Sequence, residues 1–177
     1  MKKILFILLS AGIILSECGT KELKKEEALQ IINKELNYPK TIVYDIFCSD
    51  PAHAKKLLDA GLETSKMVTI QKTEKLKDIG KPLVQFTDKA MPYLLPTPNK
   101  DKALDIQKVK IADEEVKEIS LTQDGENKNI VWVEYTSVYI NITPFSVLIK
   151  RNLHEQVKHK VQFSLTDNRW ILQKSIR

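Results

Sequence analysis

Two cysteines, five glycines and three histidines in 177 residues leave little material for several kinds of chemistry. Cys18 and Cys48 cannot build a disulfide framework, and Ile46-Phe47-Cys48 reads as an apolar setting for a small buried side chain, not a reactive thiol. Phosphate-cradling loops need closely spaced glycines, and none of the five has that spacing. Zinc sites need clustered ligands. His53 stands alone, while His154 and His159 share no face of a regular helix or strand and, beside Glu155, Lys158 and Lys160, read as loop or strand-edge residues. There is no Gly-x-Ser-x-Gly elbow and no base beside Cys48, so no nucleophile is armed. Asp113, Glu114 and Glu115 are consecutive, which places them on different faces and suggests a turn or a solvated edge. We expect no metal, no cofactor and no enzymatic activity.

Charge of one sign is also scarce. The net charge is only +5 on a chain that is 29% charged, and lysines alternate with acids, as in Lys21-Glu22-Leu23-Lys24-Lys25-Glu26-Glu27. A polyanion site needs clustered charge, so this pattern reads as a solvated surface. A long apolar run is missing as well. Residues 4–15 are apolar, yet a spanning helix needs roughly 20 such residues.

What is present begins with that run, which follows Lys2 and Lys3 and has the anatomy of an export signal. Leu15-Ser16-Glu17-Cys18 resembles a bacterial lipobox, in which the cysteine becomes the lipidated first residue of the mature chain. The resemblance covers about twenty residues and departs from the pattern at Glu17, where the family places a small residue. A secretory cut after Cys18, with Ser16 and Cys18 as the small residues, competes with it and gives a soluble form. The lipobox resemblance implies a signal peptide over residues 1–17, lipidation at Cys18 and a short tether over residues 18–23. It further implies an envelope protein held to a membrane by its lipid. Gly19 is not an acidic retention signal, which favours the outer membrane where a cell has two. Lys21, Lys24 and Lys25 then lie where anionic headgroups add about 1 kcal/mol per contact.

Residues 18–177 are enough for one medium domain or two small ones with a buried core. Leu23, Ala28, Leu29, Ile31, Ile32 and Leu36 make an amphipathic stripe, and the helix ends near Asn37, before Pro39. Thr41 to Phe47 is β-branched and aromatic; a strand is favoured over a distorted helix. Asp50 as cap, Pro51 at the first helical position and Gly61 as left-handed exit predict a helix between them. Met67 to Gln71 and Leu83 to Phe86 follow as short strands around a lysine-rich connection.

Leu57-Leu58-Asp59-Ala60-Gly61-Leu62 and Phe86-Thr87-Asp88-Lys89-Ala90 resemble the helix exit and post-wing turn of winged-helix domains. That resemblance covers residues 24–96 and implies a winged-helix-like subdomain. DNA reading needs polar and basic side chains on a recognition helix. Only His53, Lys55 and Lys56 are offered, and export removes the chain from the chromosome, so we expect no nucleic-acid partner.

Pro96 to Lys102 is turn-rich and marks a boundary. Beyond it, residues 104–177 read as an antiparallel sheet, with a strong turn at Gln123 to Asn127, a long strand from Ile130 to Ile142, and a closing hairpin that turns at Asp167-Asn168. The ending is similar to that of cystatin-like and nuclear-transport-factor-like folds. Thr143-Pro144-Phe145 breaks the long strand. Trp132, Tyr135, Tyr139 and Phe145 are the candidate partner or ligand surface, although aromatics at strand spacing are more often core.

The sequence therefore predicts an α+β envelope lipoprotein, winged-helix-like and then antiparallel. Its expected function is a non-enzymatic accessory or adaptor for an envelope protein partner. The rival is a small-ligand binder with a cavity in the sheet half, and an enzyme is the third class. An adaptor calls for an exposed apolar patch, a binder for a deep pocket, and an enzyme for convergent titratable groups.

Overall fold

The computed structural model describes residues 21–72 and 81–173. The export signal and Cys18 lie outside the described residues. The first helix, α1, spans Lys25–Glu35, with Glu26 and Glu27 in its first turn and Lys34 in its last, each on the side of the helix dipole that favours it. The chain leaves α1 through Asn37 in a left-handed conformation and enters β1, Lys40–Phe47. α2 spans Pro51–Asp59; the Asp50 carboxylate accepts from the Ala52 N–H, and Gly61 takes φ +71°, so start and stop both fall where the sequence placed them.

β2 (Val68–Ile70) and β3 (Val84–Phe86) pair as a two-stranded ribbon, followed by a 3₁₀ turn at Met91–Tyr93 and α3 at Asn99–Lys102. Then come β4 (Ile106–Gln123), β5 (Ile130–Ile140), a 3₁₀ turn at Pro144–Leu148, β6 (Val157–Thr166) and β7 (Arg169–Gln173). The main sheet is wholly antiparallel, in the order β1-β4-β5-β6-β7. It is curled, and the molecule is α+β with strand predominating. Bulges at Ile42/Val43 and at Val116/Glu118 add local twist and bend, which helps the long strands curl.

A winged-helix half is not shown. The ribbon expected of a wing is present, but between α1 and α2 the chain is a strand, and that strand pairs with β4 from Lys40↔Glu114 to Phe47↔Ile106. The physical reason is non-local. The β-branched run of β1 finds the open edge of a strand lying some sixty residues on, a pairing that no local pattern announces. The main sheet thus draws strands from both sides of the Pro96-to-Lys102 passage, and α3 occupies part of that passage.

Two apolar clusters fill the molecule. One lies under α1 and joins Leu23, Ala28 and Ile32 to Val131, Val133, Tyr135, Phe163, Trp170 and Leu172. The other joins α2, the ribbon and the Pro144–Leu148 turn to the β1 and β4 end, around Ile46, Leu57, Met67, Val109, Ile111 and Phe145.

Candidate functional site

The inner face of the sheet passes from one cluster to the other on three neighbouring strands, and on each strand the crossing residue is polar. Along β4, Ala112 belongs to the α2-side cluster and Val116 packs on the α1-side cluster, with Glu114 between them. Along β5, Ser137 stands between Tyr139 and Tyr135; along β6, His159 stands between Val157 and Val161. Alternation brings residues two apart to the same face. Register then brings these three together, since Glu114 opposes Tyr139, Ser137 opposes Val157, and Tyr135 opposes His159.

Their side chains form one hydrogen-bonded group. The Ser137 hydroxyl donates to Glu114 Oε1 at 2.5 Å, and Tyr38, from the turn between α1 and β1, donates to the same oxygen at 3.3 Å. His159 Nε2 lies 2.8 Å from Ser137 Oγ and 3.9 Å from Glu114 Oε1. Its ring stacks on Tyr135 with centroids 4.6 Å apart, and Tyr135 meets Tyr38 edge to face. Lys40 closes the β1 side, its ammonium 4.0 Å from the Tyr38 ring centroid. Ser137 is 0% and Glu114 7% exposed.

Burial is the main force on the titrating groups. It holds the His159 imidazole below its ordinary range, with Glu114 pulling the other way and Lys40 reinforcing burial. Burial likewise pushes the Tyr135 and Tyr38 phenols up. A neutral His159 therefore shares the seam with the Glu114 carboxyl.

Two clefts meet at His159. One, of about 550 Å³, is walled by Lys40, Glu114, Tyr139, Arg151, Asn152, Glu155, Gln156, Val157, Lys158 and His159. The other, of about 440 Å³, lies along β4, β5 and β6 and includes Ile119, Tyr135, Thr136, Lys158 and His159. The first carries the more telling chemistry because it opens on the buried carboxyl. Arg151, in the β5–β6 connection, donates to the Tyr139 hydroxyl at 2.8 Å, and Asn152 donates to Glu155 Oε1 at 2.7 Å, so the mouth is ordered.

Serine, histidine and glutamate in contact invite comparison with a nucleophilic triad, and the geometry differs from one. In a triad the acid holds the histidine by its far nitrogen and the histidine takes the serine proton. Here the serine donates to the acid, and its fully buried oxygen is out of reach of a substrate. The group is arranged to fix acceptors at the floor of a cleft.

Of the four aromatics singled out in the sequence, the structure brings two to this site. Tyr135 and Tyr139 flank Ser137 on the inner face. Trp132 points to the opposite face, beneath the Lys160 ammonium at 5.3 Å, and Phe145 is wholly buried against Phe86 and Tyr93. Asp113 to Glu115 lie in mid-strand, paired on both sides, and not in a turn or at a solvated edge, whereas His159 does lie where β6 is paired only with β5 among the described residues, and its ring turns inward onto Tyr135. Ser137 carried no signal apart from its place in the alternation of β5. Among the described residues no group of three metal-ligating side chains is assembled, and no helix is long and apolar enough to cross a membrane. No protein-family model matches the chain, and no curated protein or solved structure matches it.

Proposed function

We propose that the protein is a non-enzymatic binding module of the bacterial cell envelope, held to a membrane through Cys18, which takes a small polar ligand in the cleft over Glu114. The observation that carries this reading is the 550 Å³ cleft in the sheet half, whose floor is a buried carboxyl and whose mouth is braced by hydrogen bonds. Ligand sites of this size commonly place a few fixed polar groups in a concave wall. Buried polar groups cost stability unless satisfied, and a seam of three of them across adjacent strands is an expensive way to build a core alone.

This reading reverses the order expected from the sequence, where an adaptor for an envelope protein came first. An adaptor calls for a continuous exposed apolar patch. Among the described residues the exposed large apolar side chains are Val43, Phe47, Met91, Leu104, Ile142, Val147 and Ile171, and no element there carries more than two of them. The winged-helix resemblance adds nothing to either reading. The anchor rests on Lys2, Lys3, the apolar run and Leu15-Ser16-Glu17-Cys18.

Native mass spectrometry of the protein gently extracted from membranes tests the reading. A reproducible small molecule, released on unfolding and protecting Lys40 and Lys158 from amine labelling, is the expected result. A ligand-free protein that crosslinks reproducibly to one envelope protein would overturn it in favour of the adaptor.

A further inference from the structure

The charges around the larger cleft are of both signs. Acceptors lie at the floor. Glu114 Oε1 takes both the Ser137 and the Tyr38 hydroxyls, while no described group is bonded to Oε2. Donors lie at the mouth. Arg151 spends one N–H on Tyr139, and a guanidinium has five in a planar fork suited to a carboxylate. Lys158 adds positive charge to the lining, Lys40 stands opposite Glu114 in the β1–β4 ladder with its ammonium over the Tyr38 ring, and the acid at the mouth, Glu155, already has one oxygen taken by Asn152.

Tyr139 links the two poles. It sits opposite Glu114 in the β4–β5 ladder, where facing Cβ atoms are about 4.5–5.5 Å apart, and its hydroxyl holds Arg151. The guanidinium therefore stands about one tyrosine side chain away from the carboxyl. A purely anionic ligand would meet Glu114, and a purely cationic one would meet Arg151 and the two lysines. Only a ligand with a donor at one end and an anion at the other satisfies both walls.

We infer that the cleft takes a zwitterion of amino-acid or short-peptide type, with its ammonium on Glu114 Oε2 and its carboxylate on Arg151. This rests on the binding-module reading above. The ammonium, buried beside Glu114, forms a charge-assisted hydrogen bond, and the carboxylate takes the fork at the mouth.

The test is titration of the full mature chain, isotopically labelled and in detergent, with glycylglycine, N-acetylglycylglycine and glycylglycinamide, followed by NMR shifts at Glu114, Ser137 and His159. Glycylglycine is expected to bind, and blocking either end is expected to weaken it at least about tenfold, the scale of one hydrogen bond to a charged group. Arg151→Gln, an exposed change that leaves both cores intact, should weaken glycylglycine but not glycylglycinamide. Equal binding of all three compounds overturns the inference. So does failure of all three when another small molecule occupies the cleft, an outcome that spares the binding-module reading. If no small molecule perturbs these residues, both readings fall together.

Discussion

Ser137 Oγ and His159 Nε2 lie 2.8 Å apart on neighbouring strands, and only one direction of proton donation suits both. The Ser137 hydrogen is committed to Glu114 Oε1. Its oxygen must therefore accept, which makes His159 Nε2 the donor and leaves Nδ1 as the unprotonated nitrogen of the neutral ring. A buried serine thus accepts from the Nε2–H tautomer of a histidine at the edge of a cleft.

Ser137→Ala should show what that bridge is worth. It leaves the buried Glu114 with Tyr38 alone and the His159 N–H without an acceptor, and an orphaned buried polar group costs about 1–3 kcal/mol. Denaturant unfolding should register a loss in that range with little change in the denaturant slope. Nitrogen shifts of wild-type His159 should show a protonated Nε2 and a bare Nδ1, and a wild-type ring protonated on Nδ1 instead would overturn the assigned direction of the Ser137–His159 bond.

His159 also predicts a pH dependence with a definite sign. Burial first, and Lys40 after it, hold its folded pKa below the ordinary value despite Glu114. In the unfolded chain it protonates at about pH 6.5. As pH falls through that value the unfolded state binds more protons, so stability is full above it and declines below. Asp124, held low by the Asn127 and Glu126 N–H groups, contributes its own loss only as pH falls below about 4. The decline between about pH 6.5 and 5 should therefore flatten in His159→Gln, as measured by urea unfolding at stepped pH. A slope unchanged in that variant would assign the decline to other groups.

Local signals were read well because their physics is local. Asp50, Pro51 and Gly61 punctuated α2, and the turn at Asp167-Asn168, both residues at positive φ, closed the last hairpin as expected. The site was hidden for two reasons. The bulge around Lys117 shifts the alternation of β4, so Ala112, Glu114 and Val116 did not read as one face with Ile119 and Leu121. And the seam exists only once β4, β5 and β6 are in register, so Glu114, Ser137 and His159, scattered over 46 positions, are neighbours by pairing alone.

The thiols give a combined test of core and anchor. Burial, reinforced by the Asp105 charge, pushes the Cys48 thiol up to about 11, and its side chain is buried in the α2-side cluster. Only the thiolate alkylates readily. Native protein at neutral pH should resist iodoacetamide, and after unfolding a lipidated mature chain should show one reactive thiol. Two reactive thiols would mean that Cys18 is unmodified and would remove the lipid anchor from the proposed function.

The hold on the segment that follows Cys18 can be probed from the far end of the chain. The Trp170 indole N–H on β7 donates to the Lys21 carbonyl at 3.1 Å, while Leu23 packs in the same cluster as the Trp170 ring. Trp170→Phe keeps much of the apolar contact and deletes the donor, worth about 1 kcal/mol. Such a loss acts on local opening and spares most of the global stability. Trypsin cleavage after Lys21, Lys24 and Lys25 should accelerate about fivefold, the factor that 1 kcal/mol gives. The thermal midpoint should move by no more than a few degrees for a chain of this size. Cleavage at the wild-type rate would mean that Leu23 alone pins the segment; faster cleavage would show β7 holding the tether against the body.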